Sequence, residues 1–284
     1  MKRDEVIITK NGSVFQHGKY NDRVYLMKLA GEDIPAIIDE INDLAHTSGY
    51  QKIFAKIPLP ALPLFRANGY ISEAYIPGYI KGKEDIHFVS KFLNSDRLMG
   101  IETDKLIELS NILSGAPENK SRKSADGYDI KLMNTGEADE LAELFSQVFA
   151  SYPFPIHDPE FISASMEGNT RYFGMRNNKN KLIAVSSAET DPENLNAEMT
   201  DFAVIESYRG KNLSVKLLQE METYMVSMNI RTLYTIARLN SLPMNKTFLR
   251  QGYKYTGTLI KNTNISGSVE SMNVLYKSLK QERL

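Results

Sequence analysis

Two eleven-residue stretches, "PALPLFRANGY" (residues 60–70) and "PMNKTFLRQGY" (residues 243–253), constrain the fold more than any other feature of the chain. Each places an aromatic residue five positions after a proline, with Gly-Tyr four and five positions after the aromatic. Proline suits the first turn of a helix, and glycine suits the left-handed residue that ends one. The motif alone is a common way to stop a short helix. The elements around it, however, repeat in the same order, which points to a duplicated half-fold.

In the first half, "EVIITK", the Asn11-Gly12 hairpin signal and "DRVYLMKL" predict short strands. A helix follows through "IPAIIDEINDLAHT", with Ile34, Ile37, Ile38, Ile41 and Leu44 on one face. Then come a strand "KIFAKI", the short helix, and strands around "ISEAYIPGYI" and "DIHFVSKFL". The second half repeats this order: a helix "LSVKLLQEMETYMVSM" with Leu217, Met221, Met225 and Met228 on one side, a strand "RTLYTIARL", the short helix, and strands "GYKYTGTLI" and "ESMNVLYKSL". Between the halves, the polar, Pro/Gly-bearing segment at residues 114–127 reads as a linker. The expected organisation is an α/β (α+β, mixed-sheet) protein with one unit over 1–113 and another over 128–284.

The chain is long enough to fill two cores, with 42% apolar residues in 284. A net charge of −1 argues against a protein that coats nucleic acid or an anionic membrane, so any anion must be met by a local site. The absence of cysteine excludes disulfides, a thiolate nucleophile and Cys-based metal binding. His17, His46, His87 and His157 lack ligand spacing, and no metal is expected. The N-terminus has no apolar targeting region and no stretch reaches the ~18 apolar residues of a membrane span, so a cytoplasmic protein is expected.

The halves part ways at one place. In the second, "ESYRGKNLSVKLL" (residues 206–218) runs from a strand, "EMTDFAVI", through a basic turn into the long helix; its counterpart in the first half, "AGEDIPAII", is acidic. Unpaired N–H groups at a helix start, at the positive end of its dipole, can bind phosphate. Arg209 and Lys211 add charge, Gly210 permits close approach, Asn212 is suited to the left-handed region, and Ser214 is small. The same turn could also be an ordinary helix cap.

In order and motif this half resembles the GNAT acyl-CoA N-acyltransferase superfamily, whose Arg/Gln-x-x-Gly-x-Gly/Ala loop here reads Arg209-Gly210-Lys211-Asn212-Leu213-Ser214. The resemblance covers roughly residues 128–279 and implies acetyl-CoA as co-substrate, with its pyrophosphate on that loop and its pantetheine beside Phe202, Ala203 and Val204. Across the whole chain, "GYISEAYIPGYIKGKEDIHFVSKFLNSDR" and "FASYPFPIHDPEFI" are similar to the β-lysine N-acetyltransferases. That similarity implies transfer to the N6 amine of β-lysine, giving a compatible solute or an intermediate of lysine metabolism. The acceptor could equally be a polyamine, another diamino acid or a peptide amine, and Asn212, Ser214 and Phe248 leave open a CoA sensor without catalysis. A homodimer is compatible with the sequence.

An amine of pKa about 10.4 must lose a proton before it attacks a thioester. Period-two alternation puts Glu198, Thr200, Phe202 and Val204 on one strand face and Asp201 on the other, with Glu189 on the preceding strand. Glu198, six residues before Val204, is spaced like the general base of one GNAT branch, and Asp201 is a candidate partner for the acceptor's second ammonium. Backbone N–H near Ala203 or Val204 is the expected donor to the thioester oxygen. Family members often use a tyrosine acid where this chain has Phe248, so Tyr234, Tyr255 or solvent must serve. Tyr152, Phe154, His157 and Asp158 are expected around the amine, and Arg171 or Arg238 opposite a carboxylate.

Overall fold

A computed structural model describes residues 4–115 and 128–279, so most of the expected linker lies outside the described residues. The first half contains β1 (Glu5–Ile8), β2 (Val14–Gly18), β3 (Arg23–Lys28), α1 (Ala36–Thr47), β4 (Lys52–Pro58), α2 (Leu62–Ala67), β5 (Ile71–Ile80), β6 (Glu84–Phe92), α3 (Ser95–Met99) and α4 (Thr103–Ser114). The second contains β7 (Asp129–Leu132), α5 (Ala138–Val148), α6 (Pro159–Glu167), β8 (Thr170–Arg176), β9 (Leu182–Asp191), β10 (Asn196–Val204), α7 (Leu213–Ser227), β11 (Thr232–Arg238), α8 (Leu242–Arg250), β12 (Lys254–Ile265) and β13 (Ser268–Ser278). Helix α4 was not foreseen from the sequence. Only Leu109 of it is fully buried, so its apolar periodicity is weak.

Each half forms one mixed sheet, in the orders β1-β2-β3-β4-β6-β5 and β7-β8-β9-β10-β11-β13-β12. With β7 removed the two orders are the same, and the parallel pair falls at the equivalent place, β3 with β4 and β10 with β11. The repeated sequence motif has repeated geometry. Phe65 meets Tyr70 edge-on at 5.0 Å and 74°, and Phe248 meets Tyr253 at 5.0 Å and 70°. Gly69 and Gly252 take φ of 84° and 85°, which lets the chain reverse and drop the following tyrosine onto the helix it has just left.

Helix α1 buries Ile37, Ile38, Ile41 and Ala45 on the outer face of its sheet; α7 buries Leu217, Leu218, Met221 and Met225 on the outer face of the other. The inner faces of β11–β13 and β4–β6 pack on each other through Phe54, Ile76, Phe88, Tyr234, Leu259, Met272 and Val274. Buried polar groups fix this contact. Lys52, paired with Glu73 at 2.9 Å, donates to the Ile260 carbonyl at 2.7 Å while Glu73 accepts from Ile260 N–H at 2.7 Å. Arg97 donates to the Lys261 carbonyl at 2.8–2.9 Å and to the Asn21 carbonyl at 2.9 Å. The first half thus grips the bulged strand β12. The remainder of the second sheet's inner face is covered by α5 and α6, leaving a seam where that layer ends and the first half begins.

Candidate active site

The parallel strands β10 and β11 pair over only three positions, Asn196↔Thr232, Ala197↔Leu233 and Glu198↔Tyr234. Beyond these β10 bulges: its register with β9 shifts between Thr200 and Ala203, and Asp201 takes φ 54°. The strands therefore diverge from Glu198 and Tyr234 as from the apex of a V. The bulge also corrects the expected alternation. Opposite residues in an antiparallel pair share a face, so pairing with Glu189, Ser187 and Val185 puts Glu198, Thr200 and Ala203 on the inner face. Phe202 and Val204 turn outward to the α7 core. Asp201, expected opposite Glu198, lies on its side, accepting from Ser187 Oγ at 2.6 Å and Tyr152 Oη at 2.5 Å.

On the outer side, the V opens into a groove of about 860 Å³ lined by Val204, Arg209, Gly210, Asn212 and Ser214, with Lys246 and Arg250 of α8 opposite. Asn212 sits in the left-handed region at φ 57°, ψ 27°, and no side chain caps α7, so its first-turn N–H groups stay available. Gly210, at φ 79°, has nothing within 4 Å of a Cβ position. The missing family glycines thus leave the turn geometry intact and the cradle open. Arg209 Nε donates to the Val204 carbonyl at 3.2 Å, and the Lys211 ammonium stands 4.7 Å from the centre of the Tyr208 ring. Leu213 and Ala203 are buried, so each can offer only backbone.

A cavity of about 110 Å³ lies in the V itself, bounded by Tyr152, Thr200, Asp201, Phe202, Arg238 and Phe248. Phe248, where the family's tyrosine often stands, meets Phe202 edge-on at 5.5 Å and 88°. It supplies packing and no proton.

Across the apex, Glu189 and Glu198 face each other on β9 and β10. Burial, and then the charge of Glu198, push the Glu189 carboxyl up to about 8. Burial likewise raises Glu198 to about 7, against the opposing pull of Lys56 and of the Tyr234 hydroxyl. Glu189 is exposed and Glu198 half-buried, although protein surrounds both: they stand in a water-reached recess at the seam. Burial raises Asp201 too, opposed by Ser187 and Tyr152. Among the described residues these carboxylates form no group placed to hold a metal ion.

The other residues expected around the acceptor are less central. Phe154 and His157 are exposed, and exposed Asp158 caps α6 by accepting from Glu160 N–H at 3.0 Å. None of the three hydrogen-bonds Glu198 or Asp201 among the described residues. Arg171 bonds the carbonyls of Met166, Gly168 and Thr170 through Nη1 and, paired with Ala188, starts from the strand face opposite that of Glu189. Arg238 is held by Glu270 in a two-pronged pair of 2.9 and 2.6 Å. Tyr255 bonds Thr258.

The sequence reading missed the first half's contribution. Lys56 of β4, Tyr25 of β3 and Tyr79 of β5 face Glu198 from across the seam. Tyr25, third in the β3–β4 pairing, occupies the position that Glu198 occupies in β10–β11. A signal was present: in "KIFAKI" the strand period puts Lys52, Phe54 and Lys56 on one face, which a buried strand tolerates only where partners meet the charges.

The profile of the acetyltransferase (GNAT) family matches residues 138–253. The protein of Methanococcus maripaludis named Beta-lysine N(6)-acetyltransferase is 39% identical over 96% of this chain and 98% of its own length. The chain belongs to the GNAT acetyltransferases. N-acetyltransferase YodP of Bacillus subtilis is 30% identical over 94% of this chain and 96% of its own, and the Beta-lysine N(6)-acetyltransferase of Methanosarcina mazei is 29% identical over 86% and 97%. As a GNAT member this protein is an acyltransferase, and the matched residues run from α5 through α8, a span that includes β10, the basic loop, α7 and β11. Among the described residues no helix is long and apolar enough to cross a membrane.

Proposed function

We propose that this GNAT enzyme moves the acetyl group of acetyl-CoA to the N6 amine of β-lysine. Its near full-length similarity to two proteins bearing that activity in their names supports the acceptor. The observation that carries the reading is the position of Glu198. Its raised carboxyl stands at the apex where an open, cation-edged groove on one side of the sheet meets a carboxylate-lined recess on the other.

Each residue has a chemical task in this arrangement. The first-turn amides of α7, with Gly210 and Asn212 in left-handed conformations, hold the CoA pyrophosphate, with Arg209, Lys246 and Arg250 supplying charge. The backbone of Phe202, Ala203 and Val204, freed from β11 by the divergence, is available to pantetheine and to the thioester oxygen. Bound acetyl-CoA supplies the acyl group. Glu198, poised near neutrality, takes the proton from the acceptor ammonium directly or through water in the recess. Asp201, fixed by Tyr152 and Ser187, and Glu189 meet the acceptor's second ammonium. Tyr234 pairs with Glu198 in the strand register; burial pushes its hydroxyl well above its ordinary value, so it keeps its proton and offers the departing sulfur a hydrogen bond, while the thiolate takes its proton from solvent.

A thiol-release assay with acetyl-CoA over β-lysine, α-lysine, spermidine and a lysyl peptide tests this reading, with the product position fixed by NMR. Acetylation of β-lysine at N6 with the highest kcat/KM is the expected result. A preference for spermidine or the peptide would reject the acceptor, and CoA binding without turnover on the panel would reject catalysis.

A further inference from the structure

We propose that Lys56, delivered by the first half of the chain, binds the carboxylate of the acceptor and so selects amino acids over polyamines. The inference rests on the acetyl-transfer reading above and extends it to the part of the molecule that lies outside the family match.

Lys56 Nζ donates to Tyr79 Oη at 3.1 Å and lies 5.3 Å from the centre of that ring. Among the described residues it has no carboxylate within 4.0 Å, although it faces Glu198 and Glu189 across the seam. An ammonium has three donors, and Tyr79 takes one. Lys52, four residues earlier on the same strand face, is the contrast: it is fully buried, paired with Glu73 and bonded to a carbonyl, so it is structural. Burial disfavours the Lys56 charge, but the hydrogen bond to the Tyr79 hydroxyl and the charge of Glu198 oppose it, and Lys56 stays an ammonium.

The charges in the recess therefore form a pattern. Glu189, Glu198 and Asp201 offer three acidic groups and Lys56 one cation with unused donors. A diamino acid offers two ammonium groups and one carboxylate, which matches. A polyamine offers cations only and would leave Lys56 facing like charge, a repulsion that works against binding. Of the two arginines expected opposite a carboxylate, Arg238 is held by both carboxylate oxygens of Glu270, and Arg171, paired with Ala188, starts from the strand face opposite that of Glu189 and bonds three carbonyls through Nη1.

The test compares each amine with its uncharged counterpart. Steady-state kinetics are measured for β-lysine, β-lysine amide and the diamine lacking the carboxyl group, in the wild type, Lys56→Met and Tyr79→Phe. The wild type is expected to prefer β-lysine over its amide by about 10- to 10²-fold in kcat/KM, the scale of a hydrogen bond made to a charged rather than a neutral group. In Lys56→Met the preference should collapse toward one, mainly through KM for β-lysine. Tyr79→Phe, which loosens the ammonium and leaves it in place, should show a smaller loss in the same direction. Retained CoA binding by calorimetry confirms that each variant is folded.

An unchanged preference in Lys56→Met overturns the proposal. So does an equal loss on carboxylate and amide accompanied by a shifted pH–rate profile, because Lys56 would then act only through Glu198. If the wild type ignores β-lysine but acetylates another amine, the acceptor assignment fails; the same acid-against-amide comparison on that amine then decides Lys56, and equal rates refute it.

Discussion

Replacing Glu198 with glutamine should lower activity and raise stability together, with the second effect growing as pH rises. The Glu198 carboxyl is raised from 4.5 to about 7, chiefly by burial. At about 1.4 kcal/mol per pH unit, that corresponds to at most ~3.5 kcal/mol. The sign follows from proton counts. Between pH 4.5 and about 7 the folded protein keeps a proton that the unfolded chain has released, so stability falls as pH rises through this window. The stabilising contribution is complete below pH 4.5 and gone once pH has passed the folded value, with Glu189 sharing the titration because the two carboxyls face each other. Glutamine is neutral throughout and escapes that loss.

Urea unfolding of wild type and Glu198→Gln at pH 5 and pH 8 reads this directly. The variant should be close to wild type at the lower pH and up to ~3.5 kcal/mol more stable at the higher. In the same preparations kcat/KM for acetyl transfer should fall about 10²-fold or more, and the rising limb expected of the wild type near pH 7 should be absent. A stability difference that does not change with pH, or a rising limb that survives in the variant, would refute the placement of a raised, proton-accepting carboxyl at the apex of the V.

Three further outcomes follow from the fold. Lys52→Met leaves Glu73 buried without its ion-pair partner and should cost about 3–5 kcal/mol in urea unfolding. Gly257→Ala would put a Cβ 2.0 Å from the Glu73 carbonyl oxygen and force the halves apart, with an expected loss of about 3 kcal/mol or more and a lower Tm. Asn212→Val places a β-branched residue at φ 57°, which should raise KM for acetyl-CoA about 10-fold, whereas Asn212→Gly should stay near wild type.

What was legible in the sequence was whatever local chemistry decides. Helix stops at Gly69 and Gly252 follow from glycine's access to positive φ, and the loop at Gly210–Asn212 follows from residue types that tolerate it. The bulge at Asp201 was not legible, because an aspartate inside a strand signals nothing until Ser187 and Tyr152 from elsewhere satisfy its carboxylate in that conformation. Alternation therefore assigned Asp201 to the wrong face. Lys56 was half-hidden for a related reason: the lysines of "KIFAKI" on one strand face signal that partners must meet their charges, but which partners depends on how one sheet stacks on the other.

The stacking gives the duplication a physical consequence. A GNAT unit standing alone would expose the inner face of β11–β13, including Tyr234, Leu259, Met272 and Val274. Here the first half covers that face and holds it by bonds from Lys52, Glu73 and Arg97 to the backbone of β12. Where the basic loop would stand it has Glu32 and Asp33 before α1, so it has no cradle for a pyrophosphate. Its equivalent of Glu198 is Tyr25, which points at Glu198 itself. A copy without the basic loop can still shape its partner's site, because the inner face it covers is the face that carries Glu198 and Tyr234. Separating the halves would accordingly leave the cation-edged groove, built from β10, α7 and α8, in place and open the side of Glu198 that faces the first half to water.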